Sequence, residues 1–125
     1  PVIALLGPLN IVWTGWQLLR RSAAGLMDVS LPEKEIRAIE AILDGYRRQG
    51  LEFHALRTRQ AGARAFITLH VMMPGTWTIQ RGHDCSEHLE ADIRQAVPHA
   101  HITTHLEPLE DPVSLADQEL DRRVD

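Results

Sequence analysis

The chain is 125 residues long, 44% of them hydrophobic and 24% charged, which suits one globular domain with a single core and leaves no room for two. Its formal net charge of −4 gives no concentrated basic face, so there is no electrostatic case for nucleic acid as a partner. The single cysteine cannot close an internal disulfide and fits a reducing compartment. Histidine is the compositional excess: there are seven, and all lie from His54 onward.

In chain order, no charge occurs before the pair Arg20-Arg21. An apolar helix needs about 20 residues to span a bilayer. Trp13 and Trp16 would then stand near the headgroups, with the arginines marking a cytoplasmic end. Gly7-Pro8, Asn10, Thr14 and Gln17 dilute that stretch, so a buried amphipathic or partner-packing helix of a soluble protein is an equal reading of the residues. No basic region and small-residue cleavage site mark a signal peptide.

Ser30-Leu31-Pro32-Glu33 has the form of a capping box with proline in the first turn. Behind it Ile36, Ile39, Ile42, Leu43 and Tyr46 recur at helical spacing, and Gly50 is a natural stop. Residues 51–59 and 65–73 read as strands joined by the turn-like Gln60-Ala61-Gly62-Ala63, a hairpin closed by Pro74-Gly75. A second amphipathic helix is predicted over 79–96, with Cys85, Leu89, Ile93 and Ala96 on its apolar stripe. Pro98 ends it, residues 101–107 form a third strand, and an acidic tail follows Pro108. The order is helix, strand, strand, helix, strand.

Strand side chains alternate between faces. Ile67, Leu69 and Val71 make one face of the second strand and leave His70 on the other. Phe53 and Ala55 are core candidates on the first, which leaves His54 opposite. Ile102 and Leu106 leave His101, His105 and Glu107 opposite on the third. Two helices must cover the apolar face, so His54, His70, His105 and Glu107 share the face they do not cover. Imidazole and carboxylate are the ligands that suit zinc, iron(II) and manganese(II). The octet Arg81-Gly82-His83-Asp84-Cys85-Ser86-Glu87-His88 is not a site of its own. Cys85 follows the core stripe, and His83 lies about 160° around the helix from it. His83 at most lends one ligand to the sheet, and a nucleophilic Cys85, hence an enzyme, is disfavoured.

His54, then Leu56-Arg57-Thr58-Arg59-Gln60-Ala61-Gly62, then Phe66-Ile67-Thr68-Leu69-His70-Val71 resemble the C-terminal cytoplasmic domain of the cation diffusion facilitators, dimeric metal–proton antiporters. Trp13-Thr14-Gly15-Trp16-Gln17-Leu18-Leu19-Arg20-Arg21-Ser22 with Gly25-Leu26-Met27-Asp28 resembles the end of that family's last transmembrane helix and its linker. The resemblance runs from Pro1 to Pro108. It implies an α/β (α+β) metallochaperone-like, ferredoxin-type αββαβ sandwich behind a hydrophobic N-terminal helix. The domains it implies are 1–27 as the helix and linker, 28–108 as the metal-binding dimerisation domain and 109–125 as an acidic tail. Carried onto this sequence, the family's ligands match His54, His70, His83, His105 and Glu107. The implied ion is Zn2+, with Fe2+, Mn2+, Cd2+ or Co2+ as relatives' alternatives, bound near a homodimer interface. The reading is a regulatory domain, no enzyme, held on the cytoplasmic side of a membrane by a transporter portion. A freestanding cytoplasmic metal buffer or sensor is the alternative.

Overall fold

The hydrophobic start of the chain forms a single helix, α1 (Val2–Leu26), with Pro8 inside it. The structure, a computed structural model, describes residues 2–26, 29–114 and 116, and the side chains of 7–23, 29–114 and 116. Every described side chain of α1 is exposed, Leu9, Ile11, Val12, Trp13, Trp16, Leu18 and Leu19 among them. Among the described residues, the rest of this chain buries no side chain of α1. Nor, among the described residues, is any helix long and apolar enough to cross a membrane. Inside α1, Thr14 donates its hydroxyl hydrogen bond back to the Asn10 carbonyl at 2.8 Å.

The remaining elements are α2 (Glu33–Arg47), β1 (Glu52–Ala61), β2 (Arg64–Met73), α3 (Ile79–Ala96) and β3 (Ala100–Pro108). β2 is central, antiparallel to β1 and parallel to β3. The β2–α3–β3 crossover places α3 on one face of the sheet, and α2 packs beside it. Ile39 and Leu43 from α2 meet Leu89 and Ile93 from α3 and Ile67, Leu69 and Val71 from β2 in one core. The result is the two-layer αββαβ arrangement that the resemblance implied. The Tyr46 hydroxyl donates to Asp92 Oδ2 at 2.7 Å and ties the two helices together. Burial and that carboxylate hold the phenol well above its ordinary pKa.

Three local expectations are corrected. Ser30 does not cap α2: the cap is Pro32, with no side-chain bond. Two residues of extended chain intervene because Leu31 is drawn into the core and its backbone N–H is taken by Thr58 Oγ1 at 3.2 Å. On α3 the buried stripe is Gly82, Ser86, Leu89 and Ile93, continued by Val97, while Cys85 is half-buried and Ala96 exposed. The stripe turns toward Gly82 because only there can the helix touch the sheet: a Cβ would lie 2.9 Å from Met73 Sδ. Ser86 is tolerated inside because its hydroxyl donates to the His83 carbonyl. The third correction, at Ala55, belongs to the site below.

The tail begins docked. The Leu109 N–H bonds the Met73 carbonyl at 2.9 Å, Glu110 Oε2 accepts from the Gly75 N–H at 2.9 Å, and Ser114 is buried. Residues 115 and 117–125 lie outside the described residues, as do Met27 and Asp28 in the linker.

Candidate metal centre

The site is assembled by register. His54 is the Cα partner of His70 across the antiparallel pair, and His70 is the partner of His105 across the parallel pair. Side chains at partnered positions share a face, so three imidazoles form one row across all three strands. The next row on that face is Glu52, Met72 and Glu107.

β1 needs a device to take part in both faces. His54 and Arg57 are opposite His70 and Thr68, so two residues, Ala55 and Leu56, stand against one, Leu69. This is a β-bulge, and Ala55 carries the left-handed backbone it requires, φ +52°. Sequence alternation placed Ala55 in the core. In the structure Leu56 packs against the core instead, and Thr58 follows on the core side opposite Ile67. The bulge keeps His54 on the outer face while the rest of β1 serves the core.

Glu107 is the hub. It is 7% exposed and spends one carboxylate oxygen on each side: Oε2 lies 2.9 Å from His54 Nε2 and Oε1 lies 2.8 Å from His70 Nδ1. The His54 and His70 rings meet edge-on with centroids 4.7 Å apart. His105 stands at the rim, its Nε2 3.5 Å from Oε1 and its ring 4.9 Å from that of His70. The close approach of His70 Nδ1 to the carboxylate is not a hydrogen bond. Its distance qualifies but its alignment does not, and the atom is buried without an aligned partner. A cation that drew both lone pairs toward itself would satisfy it.

Ligand atoms of His54, His70 and Glu107 all lie within 4.8 Å of one another. Two ligands at zinc distances of about 2.0–2.2 Å can be at most about 4.4 Å apart, so a small side-chain adjustment suffices. The donor set of two imidazoles and one carboxylate is one that zinc accepts with a further position open. The residues present therefore fit a divalent metal.

Of the five residues matched from sequence, three form this group and His105 adjoins it. His83 is exposed on α3 and is not among the grouped ligands. Met72, fully buried though it lies on the outer face, was not singled out from sequence; its place beside Glu107 follows from strand register rather than from any motif. Cys85 instead lines an open groove of about 940 Å³ between α2 and α3, with Tyr46, His88 and Asp92. Burial pushes its thiol pKa up against the opposing pull of Arg81, which keeps the sulfur protonated and poorly nucleophilic.

With this geometry in place, the comparisons are specific. Residues 31–109 match the family described as cation efflux protein, cytoplasmic domain. The uncharacterized transporter sll1263 of Synechocystis is 50% identical over 114 residues, 91% of this chain and 37% of that protein. The cation-efflux pump FieF of Pectobacterium atrosepticum is 33% identical over 100 residues, 79% of this chain and 33% of the pump. The chain thus spans about a third of the length of the curated relatives it matches. Among solved structures, the Zn form of a putative zinc transporter, CzrB, superposes with a TM-score of 0.60 at 35% identity, covering 68% of this chain and 97% of that one.

Proposed function

The chain belongs to the cation efflux family, whose cytoplasmic domain it carries, and from that premise we propose that it is the metal-binding, dimerising regulatory domain of a cation diffusion facilitator. The observation that carries the proposal is the convergence of His54, His70 and Glu107 on the sheet face that α2 and α3 leave open. The ion is divalent and, by ligand type, zinc is the best fit. His54, His70 and Glu107 hold it, with His105 as the fourth donor; His83 is left out of the set. A bound ion supplies positive charge and fixed ligand geometry where the isolated chain has crowded lone pairs.

The open sheet face is also the surface offered to a second copy. An ion that binds one arrangement of two copies more tightly than another shifts the pair toward it by that difference in affinity. That is how a domain without transport residues of its own would regulate a transporter from the cytoplasmic side of a membrane. Transport itself is assigned to parts of such proteins outside this stretch.

Titrating zinc calorimetrically into the chain tests the site. The His54→Ala, His70→Ala double variant should lose at least about 100-fold in affinity while still melting cooperatively, and His88→Ala should bind as the parent does. Unchanged affinity in the double variant would refute the site. A strictly monomeric mass at micromolar concentration, with and without zinc, would refute the dimer.

A further inference from the structure

Glu107 sits at the end of its ladder. β2 and β3 pair in register from Ala65 and Ala100 to Met73 and Pro108, so the hub is the last residue but one. Within this chain β3 is an edge strand, bonded to β2 alone. A strand end opens at almost no cost in free energy unless something ties it down. The residue after the hub cannot do so, because proline has no N–H to donate. The next two residues supply the ties. The Leu109 N–H bonds the Met73 carbonyl at 2.9 Å, and Glu110 Oε2 accepts from the Gly75 N–H, also at 2.9 Å. Gly75 lies in the turn that leads from β2 to α3, closed by the Trp77 N–H on the Pro74 carbonyl. Glu110 therefore hooks the end of β3 onto the chain leaving β2. The family match ends at residue 109, so the hook lies just beyond it.

The metal group makes this end sensitive. His54 comes from β1, His70 from β2 and Glu107 from β3. One carboxylate must face both imidazoles at once, with Oε2 2.9 Å from His54 Nε2 and Oε1 2.8 Å from His70 Nδ1. Ligands at such a site have to be held to within about 0.5 Å. A side chain two residues from a loose strand end does not meet that demand by itself.

Resting on the metal centre proposed above, we infer that Glu110 is a positioning residue for it. By holding the Gly75 N–H it fixes the end of β3 and so aims the Glu107 carboxylate at His54 and His70. Glu110 does not touch the ion. Its bond runs to a neutral N–H, so what the hook requires is an acceptor oxygen and not a charge.

Calorimetric titration of zinc into the full chain tests this, with the folded fraction of each variant measured by urea denaturation. Variants and parent are compared at a concentration where they have the same assembled mass. Glu110→Ala should weaken zinc binding about tenfold, the low end of the losses seen when a group that orients a metal ligand is removed. Glu110→Gln keeps an acceptor oxygen without the charge and should bind as the parent does. Co2+ serves as a second probe, because its visible spectrum reports ligand geometry. The spectrum of the saturated Glu110→Ala chain should differ from the parent's, and that of Glu110→Gln should not. A merely structural role would shift the urea midpoint and leave the spectrum of the folded, loaded chain as it was. Gly75→Ala attacks the same bond from the other side, since its Cβ would lie 3.0 Å from Glu110 Oε2 and 3.3 Å from Pro108 Cβ. It should reproduce the loss, and it serves if Glu110→Ala does not fold. Parental affinity and spectrum in Glu110→Ala overturn the inference. So does a Glu110→Gln chain that loses as much as Glu110→Ala, because the residue then acts through its charge. A parent chain that takes up no zinc at all removes the metal centre itself, and the inference falls with it.

Discussion

Along β2, Ile67, Leu69 and Val71 are all but fully buried beneath α2 and α3, whereas His70, between two of them, points the other way into a polar group with His54 and Glu107. The same ten-residue strand thus serves two chemistries, separated by nothing more than the parity of the residue number. The covered face is held by apolar area, each large side chain contributing about 1.5–3 kcal/mol when fully buried. The open face holds lone pairs that cost stability unless something satisfies them. A one-residue slip in register would exchange the two sets, so each face fixes the other: the core holds the histidines in their row.

If the faces are separable in this way, damage to one should leave the other working. Ile93→Ala removes a fully buried side chain at the centre of the α3 contact and should cost about 2–5 kcal/mol in chemical denaturation. Zinc affinity of the folded fraction should stay at the parent value. Affinity that falls in step with stability would mean that the core and the outer row are one mechanical unit.

The next largest effect probes where α3 presses on the sheet. Gly82→Leu keeps helix propensity high, so any loss is steric. The new side chain must displace Met73, whose Sδ would lie 2.9 Å from the first added carbon, and crowd Leu106 at 3.4 Å. Overpacking of this kind costs about 1–3 kcal/mol, measured as a shift in urea midpoint. Leu106 lies between His105 and Glu107 on β3. A matching loss of zinc affinity would show that the strand transmits the strain through its own backbone; unchanged affinity would sharpen the separation.

Much of this was legible in the sequence because strands obey a period of two. Alternation alone set His70, His105 and Glu107 opposite Ile67, Leu69 and Ile102, and residues 79–96 read as a helix ended by Pro98, the bounds the structure has. What failed to read through was whatever departs from a period. The extra residue at Ala55 is invisible in a composition of Phe, His, Ala and Leu, any of which fits a plain strand. The stripe on α3 read as Cys85 and Ala96 because hydrophobicity was the guide, whereas a glycine and a satisfied serine, Gly82 and Ser86, are what the sheet accepts. His83, which matches the family pattern, is exposed on this single chain and lies apart from the group of His54, His70 and Glu107.

The smallest effect tests the device that lets β1 serve both faces. Ala55 holds φ at +52°, a left-handed conformation that costs an L-residue with a Cβ about 1–2 kcal/mol. Glycine enters it freely but gives up about 0.5–1 kcal/mol of chain entropy on folding. The two nearly cancel, so Ala55→Gly should stabilise the chain by less than about 1 kcal/mol. Because the bulge is retained, His54 stays in its row and zinc affinity should not change. Both quantities are read together, by urea denaturation and calorimetric titration. A glycine variant that loses affinity at unchanged stability would mean the alanine methyl itself positions His54. A variant that loses stability would mean the bulge is held by packing of that methyl rather than by the two-against-one register, and the two faces of β1 would then depend on a contact instead of a backbone rule.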